Sequence, residues 1–208
     1  MRRSSLNTHE PLLKQVLKTD WDSLAPILQT HYSLAPFTDR QLLVTGRMAS
    51  VTHSARATII IPFTTIAGAL IPYQGKDIPV DVVHATQADR PDVFWRRTFH
   101  FPGKKPFVFK SRIVMSGDHE IIEYVRFGFG IRFKLSVKDG GLIQHDRGYV
   151  WTIGRRSIPL PMNLLLGKTY VEERPLSDST FAMKMEITHP LLGQTFQYNG
   201  TFEVTSGE

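Results

Sequence analysis

The stretch FVFKSRIVMSGDHEIIEYVRFGFGIRFKLSVKDGGL, residues 107–142, decides the fold. From 107 to 115 the mainly apolar set Phe107, Phe109, Ser111, Ile113 and Met115 alternates with Val108, Lys110, Arg112 and Val114. From Ile131 to Val137, apolar side chains alternate strictly with polar ones. A period of two is that of a β-strand with one buried and one wet face. Ser-Gly-Asp at 116–118 and Asp-Gly-Gly at 139–141 are typical of turns between strands. The stretch therefore predicts consecutive antiparallel strands.

Strand patterns continue on both sides of this stretch. They occur at 42–48, 78–84, 95–99, 142–153, 169–173, 181–187 and 195–204. About ten strands joined by short turns favour a mainly β fold, either a strongly curved antiparallel sheet or a partly open barrel. We interpret Ile158-Pro159-Leu160-Pro161 as a rigid connection between two strands, followed by a helical turn at 162–166.

Helical patterns are confined to two places. In the N-terminal segment 1–38, Leu12, Leu13, Val16 and Leu17 have helical spacing, and a second short helix follows in which Pro26 fits the first turn. The uncharged stretch 57–75 is interrupted by proline and glycine, which makes it a poor bilayer span. We predict an apolar helical segment near 57–70 and leave open whether it is a core helix, a lid or a membrane contact.

Length and composition predict one domain, 1–208, with the helical segment 1–38 followed by a curved β domain at 40–204. The chain has no cysteine, which excludes disulfides, thiolate metal sites and a cysteine nucleophile. The net charge of +6 is spread along the sequence, so we expect no nucleic-acid partner. No apolar run follows Arg2-Arg3, so no secretory signal is predicted. We expect a cytoplasmic protein, with peripheral membrane contact through Ala57–Leu70 as an alternative.

A set of short motifs, taken in order, resembles a bacterial family of unknown function. The motifs are Trp95-Arg96-Arg97-Thr98-Phe99, Phe109-Lys110-Ser111, Glu123, Phe127-Gly128, Asp139-Gly140-Gly141-Leu142, Ile158-Pro159-Leu160-Pro161, Glu173, Pro190-Leu191-Leu192-Gly193 and Tyr198-Asn199-Gly200. The resemblance spans Arg40 to Val204. It implies a domain that occurs alone or fused behind saccharopine-dehydrogenase-like Rossmann domains. It carries over no catalytic residue, and this chain has no GxGxxG motif of its own.

Trp95, Arg97 and Phe99 share one face of a predicted strand. An inward arginine between aromatic side chains is costly unless it is paired. Arg97 could anchor a ligand carboxylate or phosphate, or it could form a buried structural bridge with Glu123 or Glu173. Both interpretations stay open.

Glu123 and Glu173 are the candidate acid and base residues. If their side chains converge, one of them can have a raised pKa. The adjacent pairs Ile121-Ile122 and Glu172-Glu173 leave open which strand face each occupies. Ser111 lies on an apolar face without a nucleophile motif, as a small residue that relieves crowding. The histidines show no metal-binding spacing, so we predict neither a metal nor a cofactor.

Aromatic and methionine side chains dominate the predicted inward face. They are Phe107, Phe109, Phe133, Phe181, Met183, Met185, Phe196, Tyr198 and Phe202. We predict a module that binds a hydrophobic or amphipathic, lipid-like small molecule inside the curved sheet, through Trp95, Arg97, Phe99, Phe109, Ser111 and Tyr198. Two alternatives are an enzyme that uses a Glu/Arg pair in the same cavity and a partner-interaction domain for a separate Rossmann-type enzyme. The oligomeric state is not predicted.

Overall fold

The computed structural model describes residues 9–55, 71–154 and 156–207. Within them, α1 (Leu12–Leu17), a 3₁₀ turn (Lys18–Ser23) and α2 (Pro26–His31) precede eleven strands. The strands are β1 (Gln41–His53), β2 (Gly75–Ala85), β3 (Val93–Phe99), β4 (Phe107–Gly117), β5 (Glu120–Tyr124), β6 (Phe129–Lys138), β7 (Gly141–Ile153), β8 (Arg156–Leu160), β9 (Lys168–Pro175), β10 (Thr180–His189) and β11 (Gly193–Gly207). The predicted mainly β fold and the short N-terminal helices are confirmed, while the predicted helix at 57–70 lies outside the described residues.

Ten of these strands form a closed antiparallel barrel. They follow the order β1 to β7, β9, β10 and β11, and β11 pairs with β1 from Leu42↔Gly207 to His53↔Phe196. The ring closes because β7 pairs with both β6 and β9. The sheet is therefore a closed barrel, where the sequence left a curved sheet and a partly open barrel as alternatives. Closure satisfies the backbone groups that an open sheet would leave along its edges.

Strand β8 corrects one prediction. The connection expected around Pro159 is a strand, which pairs with the last part of β7, from Tyr149↔Leu160 to Ile153↔Arg156. Proline lacks the N–H that a central strand donates, but an edge strand uses only one side of its backbone for pairing. Pro159, opposite Val150, is thus compatible with the outer strand of the sheet. The helical turn predicted after it is present as a 3₁₀ turn at Met162–Leu164.

The N-terminal helical segment lies across one end of the barrel. Its backbone hydrogen-bonds to three connections at that end, namely the β2–β3 loop at Arg90, the β4–β5 turn at His119 and the β6–β7 turn at Gly140. Helix α1 begins after Pro11 and buries Leu12, Leu13, Val16 and Leu17, and α2 begins at Pro26. This end of the barrel is consequently closed by a lid of apolar side chains, and we call it the closed end.

Candidate functional site

A buried hydrogen bond marks the floor of the barrel interior. The hydroxyl of Tyr32, just after α2, donates to Oε2 of Glu173 on β9 at 2.8 Å. Glu173 is 1% exposed and faces inward, whereas its neighbour Glu172 faces out and pairs with Arg174. Burial raises the pKa of Glu173 to about 7, against the lowering effects of the Tyr32 hydrogen bond and of Arg97. Near neutral pH, Glu173 is thus a carboxyl group that can either hold or release a proton.

Arg97 on β3 is already paired inside the barrel. Its Nη1 donates to Glu123 Oε1 at 3.0 Å and to Ser111 Oγ at 3.1 Å, and the Ser111 hydroxyl donates to the same Glu123 oxygen at 2.6 Å. The guanidinium carbon lies 4.5 Å from the ring centroid of Trp95 and 5.3 Å from that of Phe109. Burial opposes the charge of Arg97, but Glu123 and the nearby tyrosines give a net rise in its pKa. Of the two interpretations of Arg97, the structure has the pairing with Glu123.

Two buried histidines complete the floor. The ring of His84 stacks on Trp95 at 3.9 Å between centroids, and His31 meets His84 edge-on at 4.7 Å. His31 Nε2 lies 4.0 Å from Glu173 Oε1, a separation that would suit a loose ion pair. Burial, followed by the charge of Arg97, lowers the pKa of His31 to about 3, so its imidazole is neutral and the contact is not an ion pair. Neither His31 nitrogen has a hydrogen-bond partner among the described residues.

A cavity of about 450 Å³ lies above this floor. Its lining is mainly apolar and aromatic, and its described members are Ile71, Trp95, Arg97, Phe99, Phe109, Ile113, Glu123, Val125, Phe127, Phe129, Gly130, Ile131, Phe133, Gln144, Tyr149, Leu160, Met162, Leu165, Leu166, Thr169, Val171, Glu173, Met183, Met185, Phe196 and Tyr198. Burial raises the pKa of Tyr198 to about 12, so its hydroxyl is neutral. The cavity therefore combines large apolar walls with a few polar groups.

The mouth of the cavity lies opposite the closed end. Phe127 and Leu165 line the cavity and are also exposed, at 70% and 51%. Around them are further exposed apolar side chains from the end of β7, from β8, from the turn after β8 and from the β10–β11 turn, namely Trp151, Ile153, Ile158, Leu164 and Leu191. We call these seven residues the apolar rim: Phe127, Trp151, Ile153, Ile158, Leu164, Leu165 and Leu191. Trp151 Nε1 donates to the Phe127 carbonyl, which links β7 to the β5–β6 connection. His189 Nε2 contacts the Leu164 carbonyl, which links the end of β10 to the turn after β8.

The structure brings most of the predicted site residues together. Trp95, Arg97, Phe99, Phe109, Glu123, Glu173 and Tyr198 line the cavity, and Ser111 lies behind Arg97 and Glu123. The two glutamates do not form a pair, because Glu123 is bound to Arg97 while Glu173 is bound to Tyr32. Whether these residues bind a ligand or catalyse a reaction stays a prediction.

Sequence reasoning missed the contribution of the N-terminal helices to this site. His31 and Tyr32 reach Glu173 from α2, 141 positions away for Tyr32. A signal was present, because His31 falls on the same helical face as Ile27 and Leu28, and all three are buried. The pattern shows that face to be buried but does not indicate which strand it meets.

In the ranges 9–55, 71–154 and 156–207, no group of three histidine, aspartate or glutamate side chains is placed to hold a metal ion. No helix within the described part of the chain is both long enough and apolar enough to cross a bilayer.

Fold and site together define a closed antiparallel β-barrel with an apolar internal cavity and a buried polar floor. The chain belongs to the family described as Domain of unknown function (DUF4166), whose model matches residues 24–202. This confirms the predicted family of unknown function, while the association with saccharopine-dehydrogenase-like domains stays a prediction.

Relatives and solved structures are similar over most of the chain. An uncharacterized protein, YndH of Bacillus subtilis (strain 168), is 25% identical over 192 residues, which cover 86% of this chain and 90% of that protein. The crystal structure of Rv2717c from M. tuberculosis covers 88% of this chain and 99% of its own, at 11% identity and a TM-score of 0.45. The S-type phycobiliprotein lyase CPES from Guillardia theta covers 81% and 88%, at 6% identity and a TM-score of 0.39.

Proposed function

We propose that this protein binds a hydrophobic or amphipathic small molecule, lipid-like in character, inside its barrel. The observation that carries the proposal is the cavity of about 450 Å³ between the polar floor and the apolar rim. Sites for small molecules have volumes of about 300–1,000 Å³, with apolar walls and a few placed polar groups. Met183 and Met185 in the walls are flexible side chains that fit varied apolar shapes. Trp95 and Tyr198 lie on the walls beside Arg97, where they would flank the ligand.

Native mass spectrometry of the purified protein, followed by solvent extraction, tests this proposal. We expect a bound apolar molecule, or uptake of the neutral fluorophore N-phenyl-1-naphthylamine. Met183→Trp should reduce uptake at least tenfold by filling the cavity. Val108→Trp is the matched control, because Val108 is exposed on the outer face of β4. A folded protein that carries no ligand and takes up no fluorophore contradicts the proposal.

Glu173 favours a second candidate function, acid–base catalysis on the bound molecule. A carboxyl group with a pKa of about 7 in a mainly apolar cavity has the properties of a general acid or base. Arg97 and Glu123 would then orient the substrate rather than exchange protons with it, because they neutralise each other. Incubation of the protein with its extracted ligand in D₂O tests this. Enzymatic proton exchange would add deuterium at carbon with the wild type and not with Glu173→Gln, and absence of exchange leaves binding as the function.

The apolar rim supports peripheral contact with an anionic bilayer as the route by which the ligand enters. Segments 125–131, 149–168 and 188–194 contain Arg126, Arg155, Arg156 and Lys168 but no aspartate or glutamate. Exposed apolar side chains next to cations are what an anionic lipid surface attracts. This surface differs from the predicted contact through Ala57–Leu70, which lies outside the described residues. A large exposed apolar patch also suits a protein partner, so the test must separate the two.

Sedimentation with vesicles distinguishes a bilayer from a protein partner at the apolar rim. We expect binding to phosphatidylcholine vesicles that contain phosphatidylglycerol, weaker binding without it, and loss of binding in Leu164→Asp. Leu164 is 75% exposed at the mouth, and Leu176→Asp is the control, because Leu176 is 59% exposed in the β9–β10 turn at the closed end. If the wild-type protein binds neither kind of vesicle and instead forms dimers, and if Leu164→Asp abolishes those dimers, the apolar rim is a protein contact.

A further inference from the structure

The charged groups in the cavity lining are unequal in number. Among the described lining residues they are Arg97, Glu123 and Glu173, one cation and two carboxyl groups. All three lie close together, since Arg97 and Glu123 both affect the pKa of Glu173. The polar floor therefore offers more hydrogen-bond acceptors than cations to a molecule that reaches it.

The cation at this floor is already occupied. Arg97 Nη1 is shared between Glu123 Oε1 and Ser111 Oγ, and the guanidinium lies against the rings of Trp95 and Phe109. A ligand carboxylate beside Arg97 would have to share its single positive charge with Glu123, even if it used guanidinium N–H groups other than those on Nη1. Displacing Glu123 leaves its carboxylate unpaired in a low-dielectric interior, which is strongly unfavourable. If it were not displaced, three carboxyl groups would surround one guanidinium.

Glu173 offers the opposite chemistry. Its Oε2 accepts a hydrogen bond from Tyr32, while the nitrogen of His31 is 4.0 Å from Oε1, too far for a hydrogen bond. A carboxylate oxygen has capacity for further donors, and an ammonium group gives the strongest kind of hydrogen bond to it. Because burial alone disfavours the Glu173 charge, a cation placed beside it restores a paired state.

We propose that the polar end of the cavity ligand is a protonated amine, held by Glu173, and that the cavity discriminates against a carboxylate at the same position. This inference rests on the proposed binding function and gives the chemical class of its ligand. Alcohols and other neutral donors should bind with an affinity between those of the amine and the carboxylate, because they can donate to Glu173 without supplying charge. The apolar part of the ligand extends from the floor toward the apolar rim.

Competition among three probes that share a dodecyl group and differ in their polar end tests this proposal. Dodecylamine, dodecanol and dodecanoic acid, each kept below its micelle concentration or solubility limit at pH 8, are titrated against N-phenyl-1-naphthylamine bound to the full-length protein. We expect the amine to bind at least tenfold more tightly than the acid, with the alcohol between them. Glu173→Gln should bring amine and alcohol within about twofold of each other. Glu172→Gln, the neighbour on the outer face of β9, should keep the wild-type order.

The pH dependence of wild-type binding gives a second test that needs no variant. Besides Glu173, the groups that face the floor are His31 at the end of α2, Tyr32 directly after it, His84 on β2, Arg97 on β3, Glu123 on β5 and Tyr198 on β11. His31 stays neutral above its pKa of about 3, and Tyr198 stays neutral below its pKa of about 12. Since an ammonium favours ionised Glu173, amine affinity should rise about tenfold per pH unit from 5 toward 7 and then level off, while dodecanol affinity stays flat.

Each outcome bears on a different claim. Equal or tighter binding of dodecanoic acid, or an amine affinity that does not change from pH 5 to 7, overturns the ligand class but leaves the binding function intact. Failure of N-phenyl-1-naphthylamine and all three dodecyl probes to bind a folded wild-type protein overturns both.

Discussion

Tyr32 donates a hydrogen bond of 2.8 Å to Glu173, and this contact connects the N-terminal helical segment to the inner wall of the barrel. Both residues are buried, so their polar atoms depend on each other rather than on water. Burial raises the pKa of Tyr32 well above its ordinary value, with the nearby Glu173 as a further cause, so the phenol remains a donor. The helical segment thus closes the barrel and also supplies part of the site.

The raised pKa of Glu173 predicts a specific pH dependence of stability. Between the ordinary value of 4.5 and the folded value of about 7, the folded state binds more protons than the unfolded state, so this carboxyl group makes the protein less stable as the pH rises. Relative to Glu173→Gln, the wild type should lose about 3 kcal/mol of unfolding free energy across that window. Urea unfolding at pH 4.5 to 8 measures the difference. Glu172→Gln keeps Glu173 and should lose stability over this window as the wild type does. A difference between the wild type and Glu173→Gln that stays constant with pH contradicts the prediction.

His31 predicts the opposite trend in acid. Its folded pKa of about 3 lies below the ordinary histidine pKa of 6.5, so the unfolded state gains a proton first and stability falls as the pH drops below 6.5. His31→Leu removes that penalty. The unfolding free energy of His31→Leu minus that of the wild type should be about 2 kcal/mol larger at pH 5 than at pH 7.5. Thermal unfolding at both pH values checks this, with His145→Leu on the exposed outer face as the control. The same loss of stability in acid for His31→Leu and the wild type would contradict this role of His31.

The Arg97–Glu123 pair should show strong coupling. Arg97→Met leaves Glu123 without its cation in the interior and should cost about 3 kcal/mol of stability. Glu123→Gln should cost less when Arg97 is already Met, with a coupling free energy above about 1 kcal/mol. A double-mutant cycle by urea unfolding measures it. The partly exposed pair Lys184–Glu186, replaced by the same residue types, should give a much smaller coupling free energy. Additive effects at Arg97 and Glu123 would mean that the pair is not formed in solution.

Closure of the barrel between β1 and β11 can be tested at Gly46. A Cβ at this position would lie 2.3 Å from Phe202 Cδ1 and 2.6 Å from the Thr201 carbonyl oxygen. Gly46→Ala should therefore destabilise the protein by about 1–3 kcal/mol, the usual cost of overpacking. Gly117→Ala is the matched control, because a Cβ there meets nothing within 4 Å. Urea unfolding of both variants checks the difference. An equally stable Gly46→Ala would contradict the pairing of Gly46 with Phe202.

The alternation of apolar side chains was enough to predict the strands and the face of each side chain within a regular strand. It placed Trp95, Arg97 and Phe99 together on the inner face of β3, where all three line the cavity. It failed where the period is interrupted. Ile122 is buried outside the barrel with Tyr124 and Val150, in a small second cluster that the inward pattern does not contain. Local alternation cannot distinguish such an outer cluster from the core.

Sequence alone determined the mainly β class, the short N-terminal helices and the apolar character of the barrel interior, because these follow from the spacing of side chains along neighbouring positions. Tertiary structure decided three other features. Pairing of β7 with both β6 and β9 closes the barrel, Arg97 takes Glu123 as its partner, and Glu173 takes Tyr32. These are contacts between residues far apart in the chain, and they depend on how the whole sheet curves, which no local pattern encodes.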